Sequence, residues 1–283
     1  MRNNEDRLGV AMSPGQQSPP VDNQQPESTF QFVTPTEFVE LPSKGVFYPE
    51  GHPLHNKDTI EIRHMTAKDE DILTSRALLQ KGIAIDRLLQ NIIVDKSIKI
   101  PDLLVGDKNA LIIAARITGY GEIYEVNVNC PACSTSVEAA FDLNDCGVQS
   151  HDAYKEQDVE LTPDGTFNVH LDKLNLDVEV RLLTSRDELY LMQLSEKRKK
   201  KKLPETPLTD QLRRIIVSVN GNSDSDYVNS FIEFVPASSS RKLRSIYQKI
   251  VPNVDMTQNF ICSSCGHDGE VSVPFGANFF WPR

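Results

Sequence analysis

Two Cys-x-x-Cys pairs, Cys130-Pro131-Ala132-Cys133 and Cys262-Ser263-Ser264-Cys265, carry the strongest chemical signal in this chain. Together they supply four thiols, the full ligand count of a closed tetrahedral Zn(II) site, and thiolate sulfur suits that ion. A site of this kind organises a fold and leaves no open position for water or substrate. Redox-active pairs, free thiols, disulfides and knuckles without metal are the competing readings. A thioredoxin-type pair opens a helix, whereas strand-like residues flank both pairs here. Tyr124, Val126 and Val128 alternate before the first, and Val137, Ala139 and Phe141 after it; Phe260 and Ile261 precede the second, and Val271, Val273 and Phe275 follow. That is the layout of a two-hairpin zinc ribbon. Roughly 130 residues separate the pairs, against about 15–20 in a contiguous ribbon, so one shared metal would staple distant segments around an inserted region. Cys146 is left over, and an odd count of five cysteines suits a reducing compartment. His267 lies two residues after Cys265 and is read as a loop histidine, because four cysteines already complete a tetrahedron.

No other constellation reads as an active site. The chain has no Walker A loop, Rossmann glycine fingerprint, nucleophile-elbow serine or His-Glu-x-x-His helix. His52 and His55 lie in a Pro/Gly-rich loop without a clear third ligand. Asp69, Glu70 and Asp71 begin a helix, where the macrodipole favours negative charge. An enzyme is therefore not expected. Lys197 to Lys202 are six consecutive cations, which raises a nucleic-acid reading as the alternative function. The run sits at a predicted helix end before Pro204 and Pro207 and has no interleaved aromatic residues to stack on bases, which favours a solvated helix terminus and linker.

The elements that must position the cysteines are α+β in class. Residues 1–36 are rich in Pro, Gln and Ser and poor in large apolar side chains, a composition that predicts a disordered arm. Residues 37–283 form the second unit. Its Phe38 to Pro49 segment is punctuated by prolines and a glycine, as in a strap lying across a surface. Ile60, Ile62 and His64 alternate as a strand, and Thr66 caps a helix over 67–81 that ends at Gly82. Further helices are predicted over Asp86 to Val94 and Asp107 to Thr118, the latter stopped by Gly119, which gives a helical part spanning 66–119. The ribbon comprises 122–142 plus 258–276, with an inserted strand and helix region over 150–255. Within that insert, Thr166–Leu171 and Leu176–Leu183 alternate as strands beside the turn at Thr162-Pro163-Asp164-Gly165. Ser185-Arg186-Asp187-Glu188 reads as a capping box. Leu212, Ile215, Ile216 and Val219 fit one helix closing at Asn220-Gly221, and two more are predicted over Asp226 to Val235 and Ser238 to Ile250. Trp281, the sole tryptophan, is read as packing against the ribbon or as an exposed contact.

Composition bounds the partners. With 39% hydrophobic and 25% charged residues the chain is long enough, at 283 residues, for one large core or two small ones. No apolar run approaches the length of a membrane span and the N-terminus is polar, so a cytosolic protein is expected. The net charge of −10 opposes general attraction to nucleic acid or an anionic membrane and points to protein partners.

An ordered series of strings goes further. Leu41-Pro42-Ser43-Lys44-Gly45-Val46-Phe47-Tyr48-Pro49, then Ile62 to Thr74, Leu103 to Ala110, Ala114 to Gly121, the two knuckles, Ser218-Val219-Asn220-Gly221 and Phe279-Phe280-Trp281-Pro282 resemble the baseplate hub proteins of T4-like contractile-tailed bacteriophages. The series is similar to the family of the hub assembly protein encoded by gene twenty-six, over about residues 38–283. The arm and the lysine run lie outside it. The resemblance implies a late viral protein in the host-cell cytoplasm during tail assembly, or in the virion tail baseplate. It also implies a component or assembly factor of the central hub, with other baseplate and hub proteins as partners and no small-molecule substrate.

Overall fold

The computed structural model describes residues 34–274 together with Phe279 and Phe280. The chain opens with strand β1 (Thr36–Glu40), which pairs antiparallel with β2 (Thr59–Arg63). Between them the strap from Leu41 to Lys57 is a succession of turns whose Leu41, Phe47, Tyr48 and Leu54 are buried. It is fastened at one fully buried carboxylate. Asp107 accepts bonds from the Ser43 amide (3.0 Å), the Ser43 hydroxyl (2.6 Å) and the Tyr48 hydroxyl (2.7 Å), and Tyr48 in turn accepts from the Leu104 amide. Burial raises the Asp107 carboxyl above its usual range, against the pull of those bonds.

Helices α1 (Ala67–Thr74), α2 (Arg76–Gln80) and α3 (Ala84–Ile92) follow, then the long α4 (Val105–Tyr120). The 67–81 expectation is met by two helices, because Ser75 (ψ 107°) breaks the first and heads the second. α4 runs through Gly119, which was expected to stop it, and ends at Gly121. Gly121 has φ +84°, the positive φ that glycine adopts without strain. Gly119 instead lies under Met65, whose Sδ is 2.9 Å from the place a Cβ would take.

Hairpin β3 (Ile123–Asn129) and β4 (Ser136–Asp142) carries the first knuckle at its tip. The chain then leaves through β5 (Gly147–Gln149) into a four-stranded antiparallel sheet of order β6 (Val159–Leu161), β7 (Phe167–Leu171), β8 (Leu176–Val180) and β9 (Ile216–Val219). Between β8 and β9 stand α5 (Ser185–Lys200) and α6 (Pro207–Ile215). The spacing of Leu212 to Val219 fits a helix, but the chain turns extended after Ile215. Ile216 and Ser218 pair with β8, so sheet pairing overrides local periodicity. After β9, α7 (Ser225–Phe234) and α8 (Ala237–Ile250) bring the chain back. β10 (Asn253–Asp255) pairs with β5, and hairpin β11 (Thr257–Ile261) and β12 (Asp268–Ser272) carries the second knuckle. The expected α+β class is what the structure has: eight helices and small antiparallel sheets among the described residues.

One construction occurs twice. Ile60-Glu61-Ile62-Arg63-His64-Met65-Thr66-Ala67-Lys68-Asp69-Glu70 and Val178-Glu179-Val180-Arg181-Leu182-Leu183-Thr184-Ser185-Arg186-Asp187-Glu188 share a strand, a turn and a capped helix start. In each, the arginine ending the strand grips the aspartate with both terminal nitrogens: Arg63 to Asp69 at 2.7 and 3.0 Å, Arg181 to Asp187 at 2.8 and 2.8 Å. The same aspartate closes a reciprocal capping box with Thr66 or Thr184. The second box therefore starts at Thr184, one residue before the expected Ser185.

Candidate metal centre

Each knuckle is the tip of a two-stranded hairpin, and the two tips have the same backbone. The Ser134 amide bonds to the Cys130 carbonyl (2.8 Å) and the Cys130 amide to the Thr135 carbonyl (3.0 Å). At the other tip Gly266 bonds to Cys262 (2.9 Å) and Cys262 to His267 (2.8 Å). The residue after each second cysteine takes positive φ, +58° at Ser134 and +72° at Gly266. The alternation of β3 and β4 turns Tyr124, Val128, Val137 and Phe141 inward, and that of β11 and β12 does the same for Phe260 and Val271. Those residues are buried in the core cluster that both hairpins share.

The four sulfurs meet across the knuckles. Cys130 Sγ lies 3.8 Å from Cys265 Sγ and Cys133 Sγ 3.8 Å from Cys262 Sγ, and all four lie within 4.8 Å of one another. A disulfide needs about 2.05 Å, so these are free thiols. Four sulfurs at about 2.3 Å from one tetrahedral centre would stand about 3.8 Å apart. The donor set therefore fits a single metal ion shared by both pairs. The first cysteine of each knuckle is buried and the second exposed.

Four adjacent thiols cannot all ionise without a cation, because each thiolate disfavours ionisation of its neighbours. The hydroxyl and then the amide of Thr135 draw the Cys133 thiol down to about 6. Cys265 receives the His267 amide, which favours its thiolate, yet the sulfurs of Cys133, Cys262 and Cys130 push it up to about 12. Amides two residues after the second cysteine thus act on sulfur at both tips, a pair of roles the sequence reading missed. The signal is positional: Thr135 and His267 stand at the same offset.

The remaining candidates lie elsewhere. The His267 ring sits over Gly269, with Nε2 2.9 Å from where a Cβ there would be. Cys146 is half-buried, 3.5 Å from Met256 Sδ, and burial raises its thiol. In the strap, His52 stacks on Tyr48 at 4.5 Å and accepts the Leu54 amide, and His55 meets the Tyr48 carbonyl at 2.6 Å. Phe275 and Trp281 lie outside the described residues, as does most of the 1–36 arm. Phe279 and Phe280 are buried, Phe279 edge-on to Tyr124 at 4.9 Å. Arg116 holds this end in place, donating to the carbonyls of Phe279 (3.0 Å), Gly121 (2.7 Å) and Ile123 (3.2 Å). The lysine run forms the exposed end of α5, with Arg198 paired to Asp210 at 3.2 Å. Among the described residues no helix is long and apolar enough to cross a membrane.

Comparison with protein families matches the chain, over residues 36–281, to the model described as T4 bacteriophage base plate protein. Comparison with curated proteins gives no match, and comparison with solved structures gives none.

Proposed function

Because the chain belongs to the family of T4 bacteriophage base plate proteins, we propose that it serves the central hub of a contractile tail baseplate. It acts there as a hub component or as a factor that assembles the hub. The carrying observation is the family match, which spans nearly all of the described residues. Baseplate membership implies contacts with other phage structural proteins. The finer hub assignment is supported by the series of strings from Leu41 to Phe280. Several residues in those strings, Ser43, Tyr48, Arg63, Asp69 and Asp107 among them, fasten the fold itself, so they mark shared architecture. The role is mechanical and not enzymatic. In this reading the protein works in the host-cell cytoplasm during assembly, and residues 1–36 supply adaptable contacts because their composition suits ordering on a partner.

Cys130, Cys133, Cys262 and Cys265 would hold one structural Zn(II), making the two hairpins a zinc ribbon. The cross-knuckle sulfur spacing supports this, together with the Thr135 and His267 amides that favour thiolate. When bound, the ion would neutralise the thiolate charge and lock the two tips together. Quantitative mass spectrometry of mature particles and infected-cell lysate tests the role. A fixed copy number in particles identifies a hub component, presence in lysate alone an assembly factor, and deposition in tail parts other than the hub would refute the hub reading. Elemental analysis of protein purified without added metal should find one zinc per chain, and a zinc-free protein with all five thiols reactive would refute the ribbon.

A further inference from the structure

α5 is sixteen residues long, yet only Ser185 and Asp187, both in its first turn, are buried. Its far half leads into the lysine run, and just beyond that run Leu203 and Leu208 are about half exposed, at 53% and 49%. Arg198 is paired with Asp210 and Lys199 reaches Glu205 at 3.7 Å, but Lys197, Lys200, Lys201 and Lys202 meet no carboxylate among the described residues. A helix C-terminus accounts for some positive charge in its last turn. It does not account for three consecutive lysines, Lys200 to Lys202, that meet no carboxylate among the described residues and are followed by exposed leucines in an acidic protein.

The opposite charge is gathered in the knuckle hairpins. Residues 122–146 hold five carboxylates and residues 253–274 hold three, with no lysine or arginine in either segment. Among the described residues none of these carboxylates is in an ion pair. Asp142, Asp145 and Glu270 line a cleft of about 370 Å³ between the hairpins, alongside Gln258 and Asn259. The cations and the carboxylates thus lie on different parts of the chain and do not satisfy each other within it.

We propose that the basic end of α5 docks in the acidic cleft between the knuckle hairpins of a second copy of this chain. Lys200 to Lys202 would meet Asp142, Asp145 and Glu270, and Leu203 and Leu208 would supply the apolar contact that a purely electrostatic encounter lacks. The two surfaces differ, so the contact is head-to-tail. Such contacts repeat into a ring where the rotation closes and into a filament where it does not. A nucleic acid is the weaker occupant, since phosphates drawn to the lysines would be repelled by a chain of net charge −10. The inference rests neither on the hub assignment nor on the metal.

Sedimentation velocity of the full chain, over a range of concentrations at low and high salt, tests it. Association is expected at 50 mM NaCl and should weaken at least tenfold at 500 mM, where the Debye length has fallen to about 4 Å. The variant Lys200→Glu/Lys201→Glu/Lys202→Glu should be monomeric, and so should Asp142→Lys/Asp145→Lys/Glu270→Lys. Mixed in equal amounts the two should associate, because each reversed surface then finds its complement. If a triple variant fails to fold, the single pair Lys200→Glu and Glu270→Lys is read in the same way. A monomeric wild type at both salts overturns the proposal, as does association that survives either reversal. Folded variants that do not associate when mixed overturn it too. So does salt-sensitive binding of a DNA duplex through the lysines by a chain that never self-associates.

Discussion

Asp69→Ala removes the acid from the first of the two Arg–Thr–Asp clamps and should be among the most damaging substitutions in the molecule. The carboxylate is fully buried and accepts five bonds: two from Arg63, two from Thr66 and one from Asn91 at 2.6 Å. Removing one partner of a buried ion pair costs about 3–5 kcal/mol, and losing an N-cap costs about 1 kcal/mol. The Arg63 side chain keeps 25% exposure, so its orphaned charge is partly solvated and the two costs do not add in full. The loss should be about 4 kcal/mol, a fall in Tm of about 8–16 °C at this chain length. Asp187→Ala should cost less, about 2–3 kcal/mol, because Asp187 is 7% exposed and Arg181 35%. Urea unfolding of the full chain measures both. The pH dependence gives a second check. Burial pushes the Asp69 carboxyl up, but the bonds from Arg63, Thr66 and Asn91 outweigh it and hold the group below its usual range. A folded pKa below the unfolded one gives stability that is present above about pH 4 and lost as pH falls toward the folded value. The gap between wild type and Asp69→Ala should therefore shrink steadily below about pH 4. A gap under 1 kcal/mol at pH 7, a gap that does not narrow in acid, or a larger loss at Asp187 would refute the reasoning.

Four further substitutions test other joints. Cys130→Ser and Cys262→Ser should lower bound zinc and urea stability equally, and the double variant should be no worse than either alone; additive losses would mean two independent knuckles. Gly106→Ala would set a Cβ 1.9 Å from the Pro252 carbonyl oxygen and 2.8 Å from its carbon, both backbone atoms. It should cost at least about 3 kcal/mol, with faster hydrogen exchange in the β5–β10 ladder, and wild-type exchange there would contradict the close approach. Arg116→Met forfeits three carbonyl contacts worth about 1.5–3 kcal/mol each at most. It should release the segment around Phe279 to limited proteolysis while leaving the circular dichroism spectrum unchanged, and protection equal to wild type would show that Arg116 is not its tether.

The knuckles were readable because each is a single turn whose chemistry is local: two cysteines at fixed offset between alternating strands. That the two tips meet was inferred from ligand count, and an approach between residues so far apart in the chain carries no short-range signature. Gly119 looked like a stop because glycine often ends helices, but the positive φ falls at Gly121, and only the tertiary contact with Met65 explains the earlier glycine. Leu212 to Val219 misled in the opposite way, its i, i+3, i+4, i+7 spacing being shared between a helix end and a buried edge strand. The duplicated clamp was fully present as text, in Arg63/Thr66/Asp69 and Arg181/Thr184/Asp187, and comparing the chain with itself would have found it. Asp107 was read only as a helix start. Nothing near it in sequence reveals that its bonds come from Ser43 and Tyr48, about sixty residues away.

The long excursion between the knuckles is closed by more than sulfur. β5 and β10 zip its two ends together, and the Gln149 side chain bonds to the carbonyls of Gln248, Lys249 and Val251. Gly106 lets α4 lie against Pro252, Asn109 bonds to Asn253 at 3.0 Å, and Gln258 reaches the Asp142 carbonyl at 2.7 Å. These contacts already meet the entropic cost of closing a loop of this length, a cost that grows only slowly with the number of residues. A metal at the tips would then add little to closure and much to rigidity. It would fix two hairpins of five to seven residues per strand, each too short to be stable alone. In the docking proposed above that distinction matters, because a hairpin pair that receives a second copy of the chain benefits from a fixed shape at its tips. The body behind it, clamped at Asp69, Asp107 and Asp187, is held by its own hydrogen bonds.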